Sequence, residues 1–183
     1  VCAAVFDGEH LPYVDNLVNL LVVADDCQVD EREMFRVLVP GGVLMTGPSG
    51  PSPGTRKKPW PADIDQWTHY LYDPSNNAVA KDERIGPPRR LRWTAGPLWT
   101  RHHDRMSSIS CVVSAGGRLF YIIDEGPTAS VAAPPAWRLV ARDAFNGVLL
   151  WQKTESVARG GHAVKKTKPI ILDDGRLLRI IDD

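Results

Sequence analysis

Arg101-His102-His103-Asp104-Arg105 is the densest polar cluster of the chain. Two imidazoles followed by a carboxylate can supply metal ligands, or a general base oriented by an acid. On an extended strand His102 and His103 point to opposite faces, so one ion can engage both only if the backbone is a loop here. Arg101 and Arg105 work against a cation and suit an anionic substrate or a neighbouring carboxylate. Two readings stand side by side. In one, His102, His103 and Asp104 are candidate catalytic residues; in the other, they form a hydrogen-bonded corner with Asp104 paired to an arginine. The residues fix no metal.

The remaining polar groups are more scattered. Asp124-Glu125 and Asp182-Asp183 recur at equivalent strand ends and read as loop-facing caps, or as carboxylates able to hold a cation. His69, between Trp67 and Tyr70, reads as a packed, hydrogen-bonded aromatic corner, and His10 and His162 as solvated loop residues. Gly160-Gly161 with Lys165, Lys166 and Lys168 lacks the strand-to-helix context of a phosphate loop and reads as a basic connector. Cys2, Cys27 and Cys111 include no CxxC pair, which suggests neither a disulfide framework nor a zinc site.

The elements that must position these groups are hairpins. In Leu139–Trp151 two apolar runs flank Asp143-Ala144-Phe145-Asn146-Gly147, ending in an Asn-Gly pair. Asn146 and Gly147 tolerate positive φ, and Asp143 can fold its carboxylate onto the turn amides. Trp151 is a large apolar plate that demands burial against a neighbour. Upstream, Ser107–Ser114 and Arg118–Asp124 flank a Gly116-Gly117 turn. With Trp137–Arg142 and Val148–Gln152 they predict four strands in up-and-down order, the unit of a propeller blade. Gly117-Arg118-Leu119-Phe120-Tyr121-Ile122-Ile123-Asp124 recurs as Gly175-Arg176-Leu177-Leu178-Arg179-Ile180-Ile181-Asp182, which predicts a second blade beginning.

Ala141-Arg142-Asp143-Ala144 through Gly147 to Leu150-Trp151 resembles the "ALDAxTGxxLW" repeat of quinoprotein-like (pyrroloquinoline-quinone-type) β-propellers. Arg142 stands where Leu is usual, and Phe145-Asn146 where Lys-Thr is usual. The resemblance implies that Trp151 packs between neighbouring blades, against the sheet begun by the second copy. It is specific for the blade and not for the quinone, since many such propellers act as scaffolds. Trp67 and Asn76-Asn77, followed by Leu91-Arg92-Trp93, resemble the lead-in to the first blade strand.

At the N-terminus, Leu17–Ala24 reads as a strand buried on both faces. Asp30 is a helix cap with Glu33 placed to reach back in a capping box. Met34, Phe35, Val37 and Leu38 follow at helical spacing; Pro40-Gly41-Gly42 ends the helix and Val43-Leu44-Met45 is the next strand. Phe6-Asp7-Gly8-Glu9-His10-Leu11-Pro12-Tyr13-Val14-Asp15-Asn16 is similar to the "GDAxxLPFxDN" segment of class I S-adenosylmethionine-dependent methyltransferases, and Glu33–Gly42 to their "EMxRVLKPGG" segment. That resemblance makes Asp7, Gly8 and Leu11 cofactor-binding candidates, with the Asp7 carboxylate accepting from the adenine amine and Leu11–Tyr13 bordering the cofactor. Asn19 replaces a usual Asp. The Gly-rich loop and ribose-holding acid of the family would precede Val1, so this stretch alone is expected not to bind the cofactor.

Pro48–Pro61 packs five prolines into fourteen positions, which predicts an extended tether. The expected fold is therefore mixed: a short Rossmann-like α/β fragment over residues 1–47, a linker over 48–62, and an all-β partial β-propeller over 63–183, one four-stranded blade plus the start of the next. Lys+Arg and Asp+Glu number 22 each, a balance that gives no hint of nucleic acid, and no apolar run reaches the ~18 residues of a membrane span. With Val1 first and the final strand unfinished, the chain is expected to be an excerpt of a longer polypeptide. Its expected partners are the remaining blades and the other half of the methyltransferase-like domain. Three functions follow from the resemblances: a propeller serving as a binding or scaffold module, a pyrroloquinoline-quinone- and Ca²⁺-dependent oxidoreductase, or a methyltransferase whose propeller presents the substrate. Quinone or S-adenosylmethionine would belong to the full-length parent. The two families point to opposite compartments, periplasm and cytoplasm.

Overall fold

A computed structural model describes residues 3–48, 54–84, 86–87, 91–98, 109–129, 133–154, 168–171 and 177–180, the last two stretches and Ser110 by backbone alone. The chain divides into two compact units, Val1–Ala62 and Asp63–Asp183.

In the first unit, β1 (Val18–Val23) pairs in parallel with β2 (Leu38–Thr46), and β3 (Gly54–Lys57) pairs antiparallel with β2. Helix α1 (Glu31–Val37) joins β1 to β2. Asp30 caps it by accepting from the Arg32 amide at 2.6 Å, and Glu31, Glu33 and Arg36 complement its dipole. Pro40 cannot continue a helix, and the backbone is already extended at Leu38. Gly42 sits where no side chain fits: a methyl group there would stand 2.8 Å from the Val39 carbonyl oxygen and 3.1 Å from that of Val18. Met34 packs with Val29, Leu38 and Leu44 to form the core, joined by Leu11, Val18, Leu21 and Phe35.

Three expectations are corrected here. β1 is buried on one side only, because α1 covers one face while Leu20, Val22 and Met45 stand exposed. The Pro-rich tether contains β3, whose Arg56 pairs with Glu31 and lies 5.4 Å over the Phe35 ring. Finally, one seven-residue helix on a three-stranded sheet is too little helix to cover both faces, so the Rossmann-like α/β segment is not formed.

The second unit holds an antiparallel meander, β4 (Ile109–Ala115), β5 (Arg118–Asp124), β6 (Trp137–Asp143) and β7 (Leu149–Thr154), paired in chain order. Val113, Phe120, Ala141 and Trp151 are successive register partners and form one cross-strand row. Tyr121, Ile123 and Val140 form a second cluster, and Ile122, Trp137 and Leu139 a third, so the central strands are buried along most of their length. β8 (Lys168–Ile171) and β9 (Leu177–Ile180) form a separate hairpin, with β8 close beside β4. Both copies of the repeated pattern thus supply the second strand of a hairpin, β5 in one case and β9 in the other.

The meander and the two-stranded hairpin are not closed into a propeller, and the expected propeller is corrected to an open, mostly β assembly. Leu91-Arg92-Trp93, expected as a lead-in strand, is irregular backbone. Trp151, expected to be buried against the second copy, lies against Phe120 of its own sheet, centroids 5.9 Å apart, and is 36% exposed. No helix among the described residues is long and apolar enough to cross a membrane.

Candidate functional site

The first group of candidates surrounds a cleft in the first unit. Asp7 folds its carboxylate back on its own turn: Oδ1 accepts from the amides of Glu9 at 2.8 Å and His10 at 2.6 Å, and Oδ2 meets the His10 ring at 3.2 Å. The amides of His10 and Glu9 hold its carboxyl below the usual range. Gly8, at φ 90°, makes this reversal and lines an open cleft of about 430 Å³ with Glu9, His10, Gln28, Arg32 and Glu33 among its walls. Leu11 is not among the residues that line the cleft and is half-buried against the α1 core.

The residue that ties this loop down is one that sequence reasoning did not single out. Arg36 donates to Glu33 through Nε at 2.7 Å and Nη2 at 2.6 Å, and to Asp15 through Nη1 at 2.6 Å. Its Nη2 also reaches the Leu11 carbonyl at 3.2 Å. Glu33 in turn accepts from the Leu11 amide at 2.8 Å, so its carboxylate serves the distant loop instead of the expected capping box. The bidentate Arg36 contact pulls the Glu33 carboxyl down to about 2. The available signal was the i, i+3 spacing of Glu33 and Arg36 on the predicted helix.

In the second unit, Asp65 accepts from the Tyr72 hydroxyl at 2.6 Å, the Lys81 amide at 2.6 Å and the Gln66 amide at 2.7 Å. Tyr72 is buried at φ 75° and packs edge-on to Trp67 with centroids 5.5 Å apart. The Asp65 carboxylate raises the Tyr72 hydroxyl to about 12. His69, half-buried, meets Thr68 Oγ1 at 2.8 Å and donates its amide to the Tyr72 carbonyl. This corner is fastened to the β4 edge, where the Ser114 amide donates to the Trp67 carbonyl at 2.7 Å and the Gly116 amide to Gln66 Oε1 at 2.9 Å.

At the opposite edge lies the β6–β7 turn. Asp143 Oδ1 accepts from the amides of Phe145 at 2.8 Å and Asn146 at 3.2 Å, and the Gly147 amide closes the turn on the Asp143 carbonyl at 2.9 Å. Only Gly147 of the Asn-Gly pair takes positive φ, 75°. Arg142 braces the turn from beneath, donating to the Tyr121 hydroxyl and the Gly147 carbonyl, each at 2.8 Å. Beyond the turn, every residue of β7 is exposed, and Val148, Leu149, Leu150 and Trp151 present an apolar run. β7 ends the sheet order, so its outer backbone groups face no strand among the described residues. Such an edge is a template for another strand.

Asp124 is buried at the end of β5 and accepts from the amides of Gly126 at 2.8 Å and Ala136 at 2.9 Å, a cap of the β5–β6 loop. His102, His103 and Asp104 lie outside the described residues, as do His162, Gly160-Gly161, Lys165-Lys166 and Asp182-Asp183. Among the described residues no three His, Cys, Asp or Glu side chains converge as metal ligands. Cys27 and Cys111 form no disulfide among the described residues. No protein-family model, curated protein or solved structure matches the chain.

Proposed function

We propose that the chain is a binding or scaffold module of a larger protein related to the quinoprotein-like repeat proteins, and that it acts by accepting a partner strand along β7. The observation that carries this reading is the exposed apolar run Val148–Trp151 beside the outer edge of β7, which pairs with no strand among the described residues. The central strands bury their faces, whereas on this edge the apolar side chains are exposed and the outer backbone groups pair with no strand among the described residues. Strand addition satisfies both at once: main-chain hydrogen bonds supply affinity and alternate side chains supply selectivity. The "ALDAxTGxxLW"-like repeat that ends in Trp151 supports the same reading, because proteins with that repeat often serve as scaffolds.

The test is amide hydrogen exchange on the full chain, titrated with an extended peptide of alternating Val and Thr, about eight residues long to match an ordinary strand. Protection of the β7 amides, lost in a Leu150→Pro variant, is the expected result. No change in β7 exchange at saturating peptide overturns the proposal.

A further inference from the structure

Resting on that reading, we infer that the strand accepted at β7 is an apolar extended segment bearing a carboxylate that meets Lys153, and not a second copy of β7. Trp151 and Lys153 lie two residues apart on one face of the strand, with Lys153 Nζ 5.9 Å from the Trp151 ring centroid. The lysine stem therefore runs along the exposed indole and holds the ammonium at the edge of the apolar row.

The other charges of this hairpin are engaged. Arg138 pairs with Glu125, Arg142 holds Tyr121 and the Gly147 carbonyl, and Asp143 is closed into its turn. Lys153 has no carboxylate within ion-pair distance among the described residues, and β7 contains no acidic residue. Lys153 is thus the charge this edge offers to a partner.

A second strand Leu149–Thr154 would bring another Lys153 and, within those six residues, no carboxylate, and a lysine on an edge strand guards against self-pairing. An acidic side chain on the same face of an added strand completes an opposite-charge cross-strand pair, while its apolar neighbours extend the row Val113–Phe120–Ala141–Trp151. The selective feature is therefore one carboxylate set among β-forming apolar residues.

Two Val/Thr peptides differing only in a central Asp or Lys, titrated calorimetrically into the full chain and into Lys153→Glu, test this. The Asp peptide is expected to bind the native chain about fivefold more tightly than the Lys peptide, with the order reversed on Lys153→Glu. Lys153 is exposed, so unchanged circular dichroism is expected to show that the variant is folded. Equal affinities, or the same order on both proteins, overturn the carboxylate preference and leave strand addition standing. Binding of neither peptide overturns both proposals, and dimerisation of the chain that excludes both peptides overturns the inference in favour of a second copy.

Discussion

Trp93 occupies the space that Gly147 leaves empty. A methyl group at Gly147 would stand 2.5 Å from the Trp93 ring, while the indole Nε1 donates to the Ala144 carbonyl at 3.0 Å. The glycine is therefore fixed twice, by its φ of 75° and by the aromatic plate laid against it.

Gly147→Ala is expected to destabilise the second unit by about 1–3 kcal/mol, combining backbone strain with overpacking. In the Trp93→Ala background the steric part disappears and the backbone part stays, so the double-mutant cycle by urea unfolding should be non-additive. Additive losses would mean that the two residues do not touch.

Glu33→Gln is expected to flatten the acid limb of the first unit's stability. The folded Glu33 carboxyl lies near 2, below its ordinary 4.5, so the Arg36 contact contributes above the ordinary value and is lost as pH falls toward about 2. Denaturant midpoints measured across that window should fall more steeply in the native chain than in the variant. Parallel slopes would refute the linkage.

Tyr72→Phe acts at the other end of the pH scale. The Tyr72 hydroxyl is raised from 10.0 to about 12, so its bond to Asp65 stabilises fully below 10.0 and is lost as pH rises through about 12. The native chain should lose thermal stability across that interval, and the variant should start lower and lose less. Identical alkaline profiles would remove the bond from the account.

Trp151→Ala separates binding from folding. The ring is 36% exposed, so truncation should cost about 1–2 kcal/mol, below the ~3–5 typical of a buried aromatic. Binding of a Val/Thr strand at β7 should nevertheless weaken at least tenfold, as expected for an aromatic anchor. Unchanged affinity by calorimetry would move the docking edge elsewhere.

What could be read in the sequence was local. The Asp143–Gly147 turn and the order of β4 to β7 follow from turn residues and alternating apolar runs, signals contained within a few positions. Arg36 escaped because its partners Leu11 and Asp15 lie 25 and 21 positions away, and Trp93 because Ala144 lies 51 away. β3 was hidden by prolines on either side of the four residues that pair. Strand, helix and strand around Asp30 suggested a layered α/β sheet, yet periodicity could not reveal that α1 has only seven residues and covers one face. The burial assigned to Trp151 assumed a neighbouring sheet, a long-range fact that composition does not hold. The cluster at residues 101–105 gave a chemical suggestion without any element to fix its geometry.

The clasp between Trp67 and Ser114 carries a consequence for stoichiometry. With that corner on Ser114 and β8 stationed beside β4, the β4 margin is in part occupied, whereas the outer margin of β7 meets no strand among the described residues. If the sheet is extended at that margin alone, it would take on one guest and then stop, because head-to-tail fibres require a donor and an acceptor rim on the same molecule.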